Sequence, residues 1–417
     1  MYIVLTVLAC TALGFYLNRL YLTETFKKLF LLSFAFHLIS GMAVWFLYQY
    51  HYQNGDILFY IKDLQSVWLK FSHSPTEYFQ FLYSDNNSLL PLINQQERSL
   101  FFIKCISILH FISNGNIVLT QLFLSILSFV ACWLCIKKLN TCFPNHELTF
   151  IISFSFIPSV LFWGSGLVKE TVTLIFIYII IICALHLSFS KRKKQIHLFF
   201  LLLSGFMLFE LRYFVFAIFF SFVLLLLLFH FVKSSHHKKK IAIGSTLLLI
   251  ITVISISFLH PNLHINNIID VIIHNHKSVV DLSQPGDFMV FPQLDVDHWR
   301  LFLYLPFASF FGILRPFLWE STNVLQFLSS LENTVFLLLI FYQIRRLPTL
   351  WKNANVKYWF ILSIGYALSM SAVLAISTPN YGSLNRYRIV FLPFLVFWLL
   401  YQNPILNKWQ KKMVKTA

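Results

Sequence analysis

The sequence predicts an all-α, polytopic integral membrane protein with about eleven transmembrane helices, or roughly ten to thirteen as the short runs are counted. Three observations predict it. Hydrophobic types make up 58% of the 417 residues and charged types only 12%, against roughly 25% charged residues in a soluble domain. Apolar runs close to the ~20 residues a spanning helix needs recur from end to end. The lysines and arginines gather in short clusters between alternate runs, as cytoplasmic loops require.

The runs lie at about 2–17, 29–50, 115–136, 147–163, 170–190, 196–209, 213–232, 241–259, 323–343, 358–377 and 389–403. The shortest, 196–209 and 389–403, span only with local thinning or polar ends at the interface. Two further stretches, 100–113 and 301–314, are assigned as interfacial or re-entrant helices in outer loops. If they cross instead, the middle of the chain inverts. The basic clusters are Arg19 with Lys27 and Lys28, Lys137 with Lys138, Lys191 to Lys194, Lys233 with Lys238 to Lys240, Arg345 with Arg346, Lys352 and Lys357, and Lys408 to Lys415. Placing the N-terminus outside and the C-terminus in the cytoplasm puts every cluster inside. The cytoplasmic side then holds 21 of the 32 Lys and Arg, and the outer half holds 14 of the 16 acids. The net charge of +16 therefore reports topology and attraction to anionic membrane lipids rather than nucleic acid. One transmembrane domain, 1–417, is expected, with long outer loops at 51–99, carrying an amphipathic helix, and at 260–300. The six cysteines sit in or beside apolar runs, and Cys132-x-x-Cys135 reads as small apolar packing. Val7-Leu8-Ala9-Cys10 follows no Lys or Arg, so Met1 is expected to be retained.

The polar residues worth weighing lie at the outer junctions. Asn54-Gly55-Asp56 opens the first outer loop, and Tyr60 follows one helical turn later. Ile57 to Phe71 has apolar residues at helical spacing and reads as a helix lying on the membrane. Asp56 is a candidate general base, and an Asp in that place is also an ordinary helix cap. Phe162-Trp163-Gly164-Ser165-Gly166-Leu167-Val168-Lys169-Glu170 joins two spans. Free amides at a helix start, Ser165 and Lys169 make a candidate anion site. The same segment also reads as a tight turn with an interfacial Lys–Glu pair. Glu210-Leu211-Arg212-Tyr213 puts opposite charges between two apolar runs, which implies a pair or a polar cavity. Arg315-Pro316-Phe317-Leu318-Trp319-Glu320 follows the re-entrant candidate, and Glu332, later in its span, should face the protein interior. Asn380-Tyr381-Gly382-Ser383-Leu384-Asn385-Arg386-Tyr387-Arg388 sets two arginines beside tyrosines, suited to gripping phosphate or to snorkelling at the interface. Weaker candidates are Asp295-Val296-Asp297-His298 as a metal motif, and His274 and His276 with Asp281. His236-His237 reads as a solvated turn. No P-loop, Rossmann fingerprint or GxSxG turn is present.

With these residues in view, the layout resembles the GT-C superfamily of multi-spanning glycosyltransferases that use polyprenyl-phosphate sugars. The resemblance lies in Asn54-Gly55-Asp56-x-x-x-Tyr60, the amphipathic segment after it and the many helices. The Phe162–Glu170, Arg-Pro-Phe-x-Trp-Glu and Asn-Arg-Tyr-Arg stretches resemble those of bacterial envelope-polysaccharide membrane proteins. Many members of the superfamily pair two acids in the first loop; here Asp63 is one candidate partner for Asp56. The resemblance implies inverting sugar transfer on the non-cytoplasmic face of a bacterial inner membrane, from a polyprenyl-phosphate-linked sugar to a glycan or lipid acceptor. Asp56 is implied as base, with Lys169, Arg212, Arg315, Arg386 and Arg388 on the lipid phosphate. Tyr60, Ser165, Glu170 and Glu320 complete the expected substrate site. No cofactor is implied, although a divalent metal is left open. An O-antigen or exopolysaccharide polymerase, and a transporter or flippase of lipid-linked glycans, are the competing readings.

Overall fold

The structure is a computed structural model. It describes residues 24–52, 55–83, 96–190, 193–234, 257–264, 266–294, 296–347 and 354–415, with isolated positions at 90, 92, 93, 244, 247, 254 and 255. The expected first span 2–17, most of 241–259, the pair His236-His237, and the residues Asn54 and Asp295 lie outside the described residues.

The chain is an all-helical, polytopic membrane protein. Among the described residues, six helices are long and apolar enough to cross a bilayer: Lys27–Tyr52, Ile117–Cys142, Lys169–Phe189, Lys194–His230, Val324–Ile344 and Trp359–Ser377. A seventh exists if Tyr381–Val390 and Leu392–Leu400, bent by 70°, count as one broken span. A large set of shorter helices stands beside these. The eleven expected spans are thus not reached among the described residues.

The helices run in chain order as follows: α1 Lys27–Phe46, continued by a π-helical turn Leu47–Tyr52; α2 Asp56–Phe71; α3 Pro75–Tyr83; α4 Glu97–Ile112; α5 Ile117–Cys142; α6 Glu147–Ser155; α7 Pro158–Trp163; α8 Lys169–Phe189; α9 Lys194–Ser234; α10 Ile268–Asp281; α11 Arg300–Leu314; α12 Val324–Ile344; α13 Ala354–Ser377; α14 Tyr381–Tyr387; α15 Leu392–Leu400; and α16 Pro404–Lys415. The expected run 147–163 is α6 plus α7, because Pro158 has no N–H to continue the α6 ladder and starts a new helix instead. The run 389–403 shrinks to the nine residues of α15. The stretches 100–113 and 301–314 are the bodies of α4 and α11, 16 and 15 residues long.

Helix α9 is two helices. Arg212 leaves the helical region, with φ −152° and ψ 75°. A Cβ built on Gly205 would sit 3.3 Å from ring atoms of both Phe216 and Phe220. Along a straight helix, positions 205 and 220 would be about 22 Å apart. The chain therefore doubles back at Arg212, so Lys194–His230, counted above as one helix, is a hairpin whose two arms are the expected runs 196–209 and 213–232.

The amphipathic stretch after Asp56 is α2, but its apolar face does not lie on lipid. It packs on α4: the Tyr60 and Phe102 rings are 4.8 Å apart and the Trp68 and Phe111 rings 5.0 Å. The 260–300 loop, carrying α10, is tied to the segment before α14 by Met289 N–H donating to Pro379 O at 3.0 Å and Tyr381 N–H to Asp287 O at 2.9 Å. Small residues bring α11 and α13 together: the Ser371 hydroxyl donates to Ser309 O at 2.8 Å, and a Cβ on Gly312 would overlap Ser371, as close packing inside membranes demands.

A second polar node locks α7, α12 and the turn after α14. Arg388 is fully buried. It donates to Asn333 Oδ1, to Ile313 O at 3.4 Å and to Glu332 Oε1 at 3.3 Å. Glu332, inward-facing as its sequence position implies, also accepts from Ser159 N at 2.8 Å and from the Ser159 hydroxyl at 2.6 Å, so it caps the start of α7. Removing one partner of such a buried pair typically costs about 3–5 kcal/mol, because the other charge is left uncompensated. Arg388→Ala is therefore expected to lower the melting temperature sharply, and Arg388→Met combined with Glu332→Gln to recover most of the loss. Thermal unfolding of the purified protein checks both; an Arg388→Ala variant as stable as the parent would show that the node is not needed.

Candidate functional site

The site forms where four chain interruptions meet. The first is the entry to α2. Gly55 has φ +115°, a conformation that L side chains avoid, and its α-carbon faces the Tyr48 ring. This turn makes Asp56 the first helical residue, with no capping bond from a side chain. Its carboxylate is not spent on its own helix. Tyr60, one turn on, lies on the same face.

The second interruption is the 164–168 turn before α8. Three of its carbonyls are satisfied by neighbouring side chains. Ser128 donates to Gly164 O at 2.6 Å, Gln121 and Ser125 donate to Ser165 O at 2.7 and 2.8 Å, and Thr171 donates to Gly166 O at 2.6 Å. Gly166 has room for no side chain: an added Cβ would come within 2.7 Å of Val44. This clamp fixes where α8 begins and so where Lys169 and Glu170 point. The other two interruptions are the hairpin tip at Arg212 and the bend after α14, which carries Arg386 and Tyr387.

Glu170 is the centre. Its side chain is 3% exposed and is ion-paired to Arg212, while Arg386 Nε stands 3.5 Å from the same oxygen. Arg386 reaches further, with Nη2 3.2 Å from Asp56 Oδ2 and 3.2 Å from the Tyr387 hydroxyl, and Nη1 3.5 Å from the Tyr48 hydroxyl. The Tyr387 ring carries the guanidiniums of Arg212 and Arg386 at 4.5 and 5.1 Å from its centroid. Asp56 differs from Glu170 in being 54% exposed. Tyr48 belongs to the π-helical turn, a local distortion often found at functional sites.

Apart from Tyr48, these groups line a cavity of about 440 Å³ whose wall holds Arg98, Lys169, Arg212 and Arg386 against Asp56 and Glu170. Four cations face two carboxylates. Lys169 donates to the Ser99 hydroxyl at 2.8 Å and lies 5.6 Å from the Tyr60 ring centre, and Arg98 lies 5.0 Å from the Tyr213 ring centre. Among the described residues, neither Lys169 nor Arg98 forms an ion pair with a carboxylate. Burial, reinforced by the nearby charges of Asp56 and Glu170, pushes the Tyr60 phenol up, so it remains a hydrogen-bond donor at neutral pH. The lining suits a compact polyanion.

Of the expected site residues, the structure brings together Asp56, Tyr60, Lys169, Glu170, Arg212 and Arg386. The others stand elsewhere. Ser165 is buried against α5 and does not line the cavity. Arg315 and Glu320 pair with each other, Nε to Oε1 at 2.9 Å, and the Phe317 N–H donates to the same carboxylate at 2.8 Å, closing a local ring around Pro316. Arg388 belongs to the Glu332 node. Asp63 accepts from Ile93 N at 2.8 Å and anchors that loop instead of joining Asp56. Arg212 pairs with Glu170 and not with its neighbour Glu210. His276 is bonded to Ile376 O at 2.7 Å, Asp297 to Arg300 at 2.9 Å. Among the described residues no group of three or more His, Cys, Asp or Glu is placed to hold a metal ion. The residues that sequence reasoning missed are Arg98 and Ser99. Their only signal was a lone arginine at the start of an apolar run.

Comparison with family models, with curated proteins and with solved structures returned no match to this chain.

The clamp on the 164–168 turn generates a stability prediction. Gly166→Ala is expected to cost about 1–3 kcal/mol through overpacking, and Val44→Ala in the same chain to restore part of it. Melting of the two single variants and the double variant measures the coupling; additive losses would mean that the contact does not set the position of α8.

Proposed function

We propose that this chain is a GT-C-like glycosyltransferase, moving a sugar from a polyprenyl-phosphate donor to a glycan or lipid acceptor at the non-cytoplasmic face of a bacterial inner membrane, with its N-terminus outside and its C-terminus in the cytoplasm. The observation that carries the reading is the excess of cations around one half-exposed carboxylate, Asp56, in a cavity flanked by apolar helices. A phosphate ester needs the cations, and an inverting transfer needs a single carboxylate base beside them.

In this reading Lys169 and Arg98, which pair with no carboxylate among the described residues, meet the donor phosphate first. Arg386 then exchanges Asp56 for a phosphate oxygen. Asp56, released, accepts the proton of the acceptor hydroxyl as that oxygen bonds to the anomeric carbon. The bond from the anomeric carbon to the phosphate oxygen breaks, and its electron pair leaves with the polyprenyl phosphate. Arg212, held by Glu170, and the Tyr60 hydroxyl hold the departing charge. Guanidinium geometry matters for Arg386, because it must present donors to two partners in turn.

The test is transfer of labelled sugar from a polyprenyl-phosphate sugar by the full chain in vesicles. Asp56→Asn is expected to lose about 10²–10⁴-fold in turnover with unchanged melting. Arg386→Ala should weaken donor binding more than Arg386→Lys. Near-parental turnover of Asp56→Asn would remove the assigned base and, with it, this mechanism.

A further inference from the structure

Arg386 lines two cavities. The second, of about 180 Å³, is bounded by the π-helical turn after α1, the end of α7, the start of α12 and α14. Its lining differs in kind from that of the first. Four aromatic side chains, Tyr48, Tyr52, Trp163 and Tyr381, share it with the amides and hydroxyls of Asn323, Gln326, Ser329, Asn380, Ser383 and Asn385. Among the described residues Arg386 is the single charged group in this lining, and its guanidinium is already held by Glu170 and Asp56. Three of the four amides are fixed by their own surroundings. Asn323 Oδ1 accepts from Gln326 N at 3.0 Å and Asn380 Oδ1 from Ser383 N at 3.0 Å, so each caps a helix. Gln326 is held by Thr322 and Asp287. Much of the wall is thus set before any ligand arrives. Asn385 is the exception: its Oδ1 is buried and has no hydrogen-bond partner among the described residues. An unpaired buried oxygen of this kind needs an explanation in a native structure.

We infer that this cavity binds an uncharged sugar unit of a glycan. A pyranose has flat C–H faces and a rim of hydroxyls. Aromatic rings cover the faces by apolar contact. Side-chain amides and hydroxyls suit the rim, because a sugar hydroxyl both donates and accepts and so do they. Other classes of ligand fit worse. A phosphate or a uronate calls for a cation that is not already paired, and those cations line the first cavity, not this one. A hydrocarbon chain would take water from six polar side chains and bond to none of them. A sugar hydroxyl is also the partner that Asn385 Oδ1 lacks. The inference does not rest on the transferase reading, because the lining selects the ligand whatever is then done to it. The segment from Asn380 to Arg388 accordingly has two tasks. Arg386 serves the charged cavity, while Tyr381, Ser383 and Asn385 serve the uncharged one.

The experiment is saturation-transfer NMR on the full chain in nanodiscs. The probes are the methyl glycosides of glucose, galactose, mannose, rhamnose, N-acetylglucosamine and N-acetylgalactosamine, with methyl glucuronide as the charged counterpart. The expected result is saturation transfer to at least one neutral glycoside and little to the glucuronide. Affinity for that glycoside should fall about tenfold in Tyr52→Ala or Asn385→Leu protein of parental melting temperature. Silence of every neutral glycoside, equal transfer to the glucuronide, or affinity unchanged in both variants would overturn the site. Failure of the transferase reading leaves a different pattern: a neutral glycoside binds as expected, with Asp56→Asn leaving sugar transfer intact.

Discussion

A carboxylate buried at the head of an apolar helix has to be matched by cations, and Glu170 is matched by two, drawn from positions 42 and 216 residues further along the chain. Everything else in the site follows from that requirement. Arg212 can reach Glu170 only because the α9 hairpin turns there. Arg386 can do so only because α14 ends in a bend beside the same point. Tyr387 fills the space between the two guanidiniums and offers them its ring face, an arrangement that gains from desolvation. Lys169 precedes Glu170 and is carried into the cavity by the same clamp on the 164–168 turn.

The positions of interruption matter because of where they occur. Inside a bilayer, backbone groups freed by a broken helix must be satisfied by protein. Each break therefore recruits polar side chains: Gln121, Ser125 and Ser128 around the 164–168 turn, and Glu332 at the start of α7. Some of these groups are structural, as Glu332 and Arg388 are. Others, at the cavity, remain accessible. The difference is legible in the exposures: Arg388 is closed off completely, whereas Asp56 opens to the cavity mouth.

The fold was legible in the sequence wherever hydrophobicity alone decides. The runs 29–50, 115–136, 170–190, 323–343 and 358–377 correspond to α1, α5, α8, α12 and α13, because apolar length is a local property. Asp56 and Tyr60 were legible as a pair, since a spacing of four puts them on one helix face. Arg386 and Arg388 were not, although the reason was available: residues two apart on a helical stretch point in different directions, so one reached the cavity and the other the core. Arg212's partner could not be read locally either. Glu210 is nearer in sequence, but the hairpin turns Arg212 toward α8. The break at Pro158 was overlooked although the proline that makes it stands in the sequence; the face of α2 could not be read locally at all. Apolar periodicity says that a surface is buried, not whether protein or lipid buries it.

The two carboxylates on Arg386 are not equivalent, and under the proposed function the difference decides which one the donor phosphate would displace. Taking Arg386 from Glu170 would weaken the pairing of a charge that is 3% exposed, the costly case for a buried ion. Taking it from Asp56 releases a carboxylate that is 54% exposed and can be solvated at once, so little is lost, as for ordinary surface pairs. Glu170 keeps Arg212 in either case. Under the proposed function the exchange that frees Asp56 is therefore also the cheaper one, and the asymmetry in burial would give this pair of acids distinct roles: Glu170 as the fixed counter-ion of the arginines, Asp56 as the group that donor binding uncovers.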